Sequence, residues 1–487
     1  MNNSRGGDHG HGNEGTAIST TKISSNGSKI SREGREALPR IALLTPYGGE
    51  NLGDAAIQDA MVANVRLRLP DAQFSGICLN CDNFVERHGT GAFPLSANNI
   101  AFYSMSRGRP WERPKEAEER RPNKKVHEKI RRALKSFPIL WRCLKVVAAI
   151  AVEVRHSFKG YLFLRTQNIV IVSGGGQLNE QYGGAWGQPF ALFKWAVLAR
   201  IARVPYAVAS VGVGELKSRA SRLFVSVALR LACYRSYRDK DTRDFATSLM
   251  PRAARDPIVP DLAFSLTPLE LPPIASIPGI AGERTAIAIS PIAFAKPGIW
   301  PIENRATYNR YVEKLAQVVA ELLRRDYFLV MVWSSLGDDE SVIPDLFGHL
   351  DQESRQSHTL QIHIPTIGTW RDFVSTLGGV DFLIASRLHS TILGFVSETP
   401  TIAISFERKV TSVMADLGQT DYVLEICDFT SKDVIEVLDR LELRRDIVSQ
   451  QIASYRHRIR PISDLQYDTL AELVMASHRK PQGSSVS

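Results

Sequence analysis

The chain is expected to fold as an α/β protein whose two parallel-sheet domains face each other across a cleft. Three observations predict this. Short apolar runs separated by stretches of helical period recur over residues 39–266 and again over 285–477. Such strand–helix alternation builds parallel sheets with right-handed crossovers. The length of 487 residues exceeds a usual single core. Between the halves, Pro268, Pro272, Pro273 and Pro278 make residues 267–284 unsuited to a helix interior or a central strand, so this stretch reads as a linker.

Bulk composition excludes several classes. Hydrophobic content of 44% and charged content of 23% are ordinary for a soluble protein. Five cysteines do not make a disulfide framework, and a reducing, cytoplasmic setting fits them. Cys78-Leu79-Asn80-Cys81 spells C-x-x-C, without a second pair or a His at zinc-finger spacing. No run approaches the roughly 20 apolar residues that span a bilayer, and the first residues lack the apolar core of a signal peptide. Residues 1–38, rich in Gly, Ser, Asn and Thr, read as a disordered tail, with His9 and His11 solvated in it. Residues 478–487 read as a frayed end.

Order begins with a buried strand at Arg40–Thr45. A glycine-rich turn through Gly53 and Asp54 follows, then a helix from Ala55 to Leu67 with Ile57, Met61 and Val65 on one side. Phe74–Leu79 is the next strand. Residues 105–165 differ in character. They hold 17 Lys and Arg against six Glu, a local +11 that exceeds the whole chain's +9. Arg107 to Lys125 reads as a mobile insertion, and Val126 to Phe163 as an amphipathic helix that Pro138 should kink or split. Its basic and apolar sides suit either an anionic membrane surface or packing on the sheet with a solvated basic face. Its aromatics sit at helical core spacing and form no stacking platform for nucleic acid.

Asn168–Ser173 is a buried strand running directly into Gly174-Gly175-Gly176. The glycines permit close approach of a ligand or of backbone. Neither a G-x-G-x-x-G nor a P-loop pattern is complete here. A helix at Pro189–Ala202, a strand at Val204–Gly214, a helix at Arg222–Leu231 and a short strand through Arg238 complete the half, which Ile258–Phe264 closes. The second half reads as a strand at Thr285–Ser290, a helix at Tyr308–Arg325 and a strand at Tyr327–Trp333. Asp338-Asp339-Glu340 next could bind a divalent metal or could enrich a helix start in acids. A helix at Trp370–Leu377 precedes the strand Val380–Ala385, and helices at Lys432–His457 and Ser463–Ser477 end the chain. Ser386-Arg387-Leu388-His389-Ser390 follows that strand at the head of a further helix. Ligands sit at such strand ends, and the helix start favours an anion. Arg forks a carboxylate or phosphate, and His moves protons near neutral pH. The plain alternative is an Arg and a His exposed at a loop edge.

In serial order these motifs resemble the polysaccharide pyruvyl transferase family. The resemblance rests on Asn51-Leu52-Gly53-Asp54, on Gly174 to Gly176, and on Gly212 and Gly214. It continues in Arg238-Asp239 with Thr242 where the family has Ser, in Asp261-Leu262-Ala263, and in Ser386 to Ser390 with Gly394, Pro400 and Lys409. It covers about residues 41–410 and implies two Rossmann-like domains in a GT-B-like arrangement. It also implies transfer of a pyruvyl group from phosphoenolpyruvate to a sugar of a polysaccharide or its lipid-linked precursor, forming a ketal and releasing phosphate. By the same resemblance His389 is the general acid, and Arg387, Lys409 and Arg238 hold the donor. Asn51, Gly53, Asp54, Gly174, Gly175, Gly176, Ser386 and Ser390 are expected to contribute to substrate binding. The chemistry agrees independently: the donor's two anionic groups call for Arg and Lys, and protonation of its enol carbon suits a His, with no cofactor or metal. Two alternatives stand beside this reading. One is a nucleotide-sugar glycosyltransferase, although Glu398 and Glu407 give E-x8-E where retaining members often show E-x7-E. The other is an inactive sugar-binding or membrane-associated protein.

Overall fold

A computed structural model describes residues 38–45, 49–97, 138–181, 183–267, 270–278, 284–350 and 361–479, without the side chains of 138–146. The expected tail, the insertion as far as residue 137, Pro268 and residues 480–487 lie outside the described residues.

The first lobe runs β1 (Arg40–Leu44), α1 (Leu52–Arg68), β2 (Gln73–Cys78), α2 (Cys81–His88), β3 (Ala92–Pro94) and α3 (Pro138–Leu164). It continues with β4 (Ile169–Ser173), α4 (Gln188–Ala202), β5 (Tyr206–Val211), α5 (Arg219–Leu231), β6 (Tyr234–Tyr237) and α6 (Lys240–Leu249). The second lobe runs β7 (Ala286–Ser290), α7 (Arg305–Arg324), β8 (Phe328–Met331), α8 (Val342–His349), β9 (Ile362–His363) and α9 (Trp370–Gly378). Then come β10 (Phe382–Ala385), α10 (Leu388–Val396), β11 (Thr401–Ser405), α11 (Arg408–Asp416), β12 (Val423–Glu425), α12 (Ser431–Leu443) and α13 (Arg445–His478).

The described strands form two six-stranded sheets, ordered β3-β2-β1-β4-β5-β6 and β12-β11-β10-β7-β8-β9, with parallel pairing throughout. Counted from its own first strand, the second sheet has the same order as the first, read from the opposite edge. This is the doubly wound topology of a two-domain, GT-B-like α/β fold. Its central strands β4, β5, β7, β8, β10 and β11 are buried along their whole length. Helices cover both faces, which is why the sequence shows continuous apolar runs there without alternation. Each sheet reverses strand order at one point, between β1 and β4 and between β7 and β10. Ligands gather at the carboxyl ends of strands there. Leu44 pairs with Val172 at the first switch point and Ser290 with Ala385 at the second.

Several short elements escape the sequence reading. Helix α2 carries only Phe84 into the core and is set by its Asn80 cap, which accepts from Asn83 N at 3.1 Å. Pro138 is the first described residue of α3, so the kink or split expected there falls at the edge of the described residues. Two C-terminal helices are present, but the break between them falls at Arg444 and α13 continues through Pro461, where the sequence reading ends one helix and starts the next. The lost backbone hydrogen bond is offset by burial on both sides, with Tyr455 and Ile459 before it and Tyr467, Leu470 and Val474 after it. Around residues 271–278 the chain lies along the second lobe, where Ala275 N donates to Ser375 O at 3.0 Å.

Helix α13 returns to the first lobe. Tyr467, fully buried, shares a hydrogen bond of 2.7 Å with Ser265, and Gln466 accepts from Ser236. Arg460 donates to Asn64 Oδ1 and Ser265 O, each at 3.0 Å. Asn64, fully buried on α1, donates in turn to Ala60 O at 2.8 Å and Ser265 O at 3.0 Å. Asn64→Leu keeps the volume but removes the acceptor of Arg460 Nη2 and a donor to Ser265 O, while Arg460 keeps Asp464 and Ser265 O, and it is expected to cost about 2 kcal/mol. Urea unfolding that shows an unchanged midpoint would show that Asp464 and Ser265 O alone satisfy Arg460.

Candidate active site

Helix α10 starts where β10 ends, at the second switch point. Ser386 and Ser390 are buried on either side of the motif's Arg and His. Ser386 Oγ accepts from Tyr311 OH at 3.0 Å. Ser390 Oγ is 2.8 Å from both Ser334 Oγ and Ser290 Oγ. Both hydroxyls therefore point into the core and brace the turn from beneath, without lining the cleft. Arg387 occupies the cap position of α10 and forks Asp339, with Nε to Oδ2 and Nη2 to Oδ1 at 2.8 Å. Asp339 has no solvent exposure and also accepts from Ala293 N at 3.0 Å. The acidic triplet therefore supplies the counter-ion of the motif arginine. Its neighbour Asp338 lines the cleft, and burial pushes its carboxyl up to about 6, opposed by Arg387 and reinforced by Asp339 and Glu50.

The first lobe meets this helix head-on. Residues 50–52 and 334–336 form an antiparallel bridge, with Leu52 N donating to Ser334 O and Leu336 N to Glu50 O, both at 2.9 Å. Asn51 caps α1, its Oδ1 accepting from Gly53 N at 3.0 Å and Asp54 N at 3.3 Å. The same Oδ1 lies 3.3 Å from His389 Nδ1. Two backbone donors fix that atom as oxygen, so Nδ1 carries the proton and the neutral ring presents a lone pair at Nε2. Nε2 is shielded from solvent and has no protein partner. Burial pushes the imidazole below its ordinary value, opposed by Asp54 and Asp261 and assisted by Arg238 and Lys409. Burial likewise raises Asp54, with His389 the strongest opposing influence. A Cβ on Gly53 would overlap the His389 ring, so glycine is required there for the ring to enter.

The glycine triplet divides. Gly174 and Gly175 have φ of 51° and 70°, in the left-handed region. Gly174 turns against Ile57 and Leu262, Gly175 backs onto Asp54 Oδ1, and Gly176 alone of the three lines the cleft. Arg238 does not reach the cleft. It lies buried behind it, 3.4 Å from both Asp239 and Asp261, beneath a Gly212 that leaves room for its guanidinium. Thr242 donates its hydroxyl to Asp239 Oδ1 at 2.6 Å. Lys409 lines the cleft and pairs with Glu407 at 2.9 Å.

The cleft holds about 300 Å³ and is lined by Asn51, Asp54, Gly176, Arg387, His389 and Lys409, among others. Sequence reading missed two of its walls. One is aromatic: Trp300 sets its ring edge-on to Phe406 and Phe294, at centroid distances of 5.5 and 5.7 Å. The other is built from carboxamides, Asn179, Gln181 and Gln188. Gln188 is buried, donates to Gln177 Oε1 at 2.6 Å, and leaves its own Oε1 without a partner. Neither wall carries a spacing signature: Trp300 and Phe406 come together from separate loops of the second lobe, and the carboxamides sit in the loop after β4 and at the start of α4. A larger cavity of about 540 Å³ beside Lys296, Arg305 and His349 contains none of the motif residues. Among the described residues no cluster of His, Cys, Asp or Glu is arranged to hold a metal ion.

Comparison with known proteins agrees with this architecture. Similar solved structures include Staphylococcus aureus MnaA with UDP (TM-score 0.50, 9% identity, 89% of this chain and 98% of that one). UDP-GlcNAc 2-epimerase of Neisseria meningitidis bound to UDP-GlcNAc is also similar (TM-score 0.50, 12% identity, 89% and 100%). So is Anabaena HepE in complex with UDP (TM-score 0.51, 10% identity, 90% and 100%). At such identities the likeness concerns the fold alone. Residues 51–408 match the family model for polysaccharide pyruvyl transferase. That span opens on the Asn51 cap and ends beside Lys409, so it holds both sides of the junction around His389, and the chain belongs to the polysaccharide pyruvyl transferase family.

Proposed function

We propose that the cleft moves a pyruvyl group from phosphoenolpyruvate to two hydroxyls of one sugar, forming a ketal and releasing phosphate. The acceptor is part of a polysaccharide or of its lipid-linked precursor, met at an anionic membrane surface. One observation carries this reading: His389, with an unpartnered Nε2, shares a single cleft with Arg387 and Lys409. Arg387 suits the donor's carboxylate and Lys409 its phosphate. Donor binding then exchanges Glu407 for phosphate at the Lys409 ammonium. The donor's negative charge also raises the proton affinity of His389, which burial alone lowers, so a bound donor favours the protonated ring.

His389 delivers that proton to the methylene carbon, which becomes a methyl group as C2 turns electrophilic. The first sugar hydroxyl adds to C2 and returns its proton to His389. The second hydroxyl then displaces phosphate, which leaves with the second proton. Asp54 faces the ring and stabilises its charged form through both transfers. The face of a sugar ring suits the Trp300 wall, and a sugar hydroxyl can donate to the waiting Oε1 of Gln188. The reaction requires no cofactor.

Phosphate release from phosphoenolpyruvate, measured with a panel of acceptor glycans, is the direct assay. His389→Ala is expected to lower turnover at least 100-fold with an unchanged melting temperature. Retained turnover in that variant, or thermal stabilisation of the wild type by UDP and not by phosphoenolpyruvate, would overturn the reading. Gly53→Ala is expected to abolish activity as well, because the new Cβ occupies the place of the ring. Full activity in that variant would mean that His389 works from another position.

The pH dependence has a definite sign. Asp338, with a pKa of about 6, is charged above that value and repels the donor, and His389 loses its proton as pH rises. Both effects weaken donor use at higher pH. The kcat/KM for phosphoenolpyruvate should therefore fall between about pH 6 and pH 8. A profile that rises over this interval would contradict the roles given to both groups.

A further inference from the structure

Helix α3 is the part of the first lobe that the cleft does not use. Its inward face is fitted to α4. Gly160 lets Trp195 approach closely, Glu153 pairs with Lys194 at 2.7 Å, and His156 Nε2 is 2.9 Å from Pro94 O. Its outward face has no such partners among the described residues. Val147, Ile150, Val154, Phe158 and Leu162 recur every three or four residues and are 62, 57, 63, 61 and 46% exposed. That spacing puts them on one side of the helix. Toward its start the exposure passes right round the helix, since every residue from 147 to 152 is apolar and exposed. A continuous apolar surface of this kind is costly in water and marks a site of contact.

Charge identifies the contact. Arg155 and Lys159 are exposed on the same helix, and Arg165 is exposed just past its end. Residues 105–165 together carry 17 Lys and Arg against six Glu. A cover made from the preceding basic segment, or from the same helix of a second copy, would bring like charges together. An anionic lipid surface accepts both the apolar row and the cations. No helix among the described residues is long and apolar enough to cross a membrane, so the contact lies along the surface.

We propose that α3 docks the protein on an anionic bilayer, its outward apolar row sinking into the boundary between headgroups and acyl chains while the basic side chains meet lipid phosphates. The docking itself is independent of the chemistry in the cleft. Its use rests on the proposed lipid-linked acceptor: α3 packs on α4, and Gln188, the first residue of α4, lines the cleft. A docked protein therefore holds its acceptor wall one helix away from the lipid surface.

The test is co-sedimentation of the full chain with phosphatidylcholine vesicles, with and without phosphatidylglycerol. Binding is expected only with phosphatidylglycerol and should weaken as salt is added. The double variant Val154→Asp/Phe158→Asp should bind about tenfold less, because both carboxylates would have to enter the boundary region. Its melting temperature should not change, since both side chains are exposed. Three results would overturn the proposal: no vesicle binding, equal binding to phosphatidylcholine alone, or undiminished binding by the double variant. A wild-type dimer that the double variant dissociates would assign the face to a second copy, and a fall in melting temperature would assign it to the chain's own preceding segment. Phosphate release with a water-soluble acceptor should be the same in wild type and double variant. Failure of that assay in both, with vesicle binding intact, would count against the proposed chemistry and leave the docking standing.

Discussion

Asn51 Oδ1 accepts from the first free N–H groups of α1 and also faces Nδ1 of His389 across the lobes. A helix cap of this type contributes about 1 kcal/mol to stability. Here it has a second effect, because capping fixes which end of the amide meets the imidazole. The first lobe thereby sets the tautomer of a side chain that belongs to the second. Gly53 supplies the space, and the 50–52 and 334–336 bridge holds the two surfaces in register. Proton chemistry at Nε2 depends on this junction staying closed, since neither lobe alone can orient the ring.

A second dependence is electrostatic. Asp339 is wholly shielded from water, which a carboxylate tolerates only with a close cation and further donors. Arg387 and the Ala293 N–H provide both. The pair is a rigid unit, and it turns a flexible arginine into a planar group of fixed orientation at the mouth of α10. Lys409, paired with Glu407 at partly exposed positions, is the looser cation of the two.

The fold was legible because both sheets are parallel and covered on both faces, so their strands appear as uninterrupted apolar runs such as Ile169–Val172 and Phe382–Ala385. Short elements were not. Helix α2 has one core residue, and α13 reads as two helices because a local rule about Pro461 is overridden by tertiary burial. The site was legible where function sits beside a strand end, as with Arg387 and His389. It was illegible where a residue acts through a partner far away in sequence. Arg387 and Asp339 are 48 residues apart, and nothing in either neighbourhood points to the other. Arg238 looked like a ligand-binding arginine because its motif carries no sign of the buried Asp261 that holds it. Ser386 and Ser390 flank the reactive residues in sequence, yet helical geometry turns them to the opposite side.

The return of α13 to the first lobe has a consequence for the order of events during synthesis. Ser265, Asn64 and Ser236 belong to the first half of the chain but find partners in Tyr467, Arg460 and Gln466 near its end. As the chain leaves the ribosome, the first sheet can form early, but its face around α1 stays open until the last helix emerges. The nascent protein must pass about two hundred residues of elongation with buried polar groups waiting for partners, some tens of seconds at ordinary synthesis rates. Over that interval the half-made lobe is a natural client for chaperones.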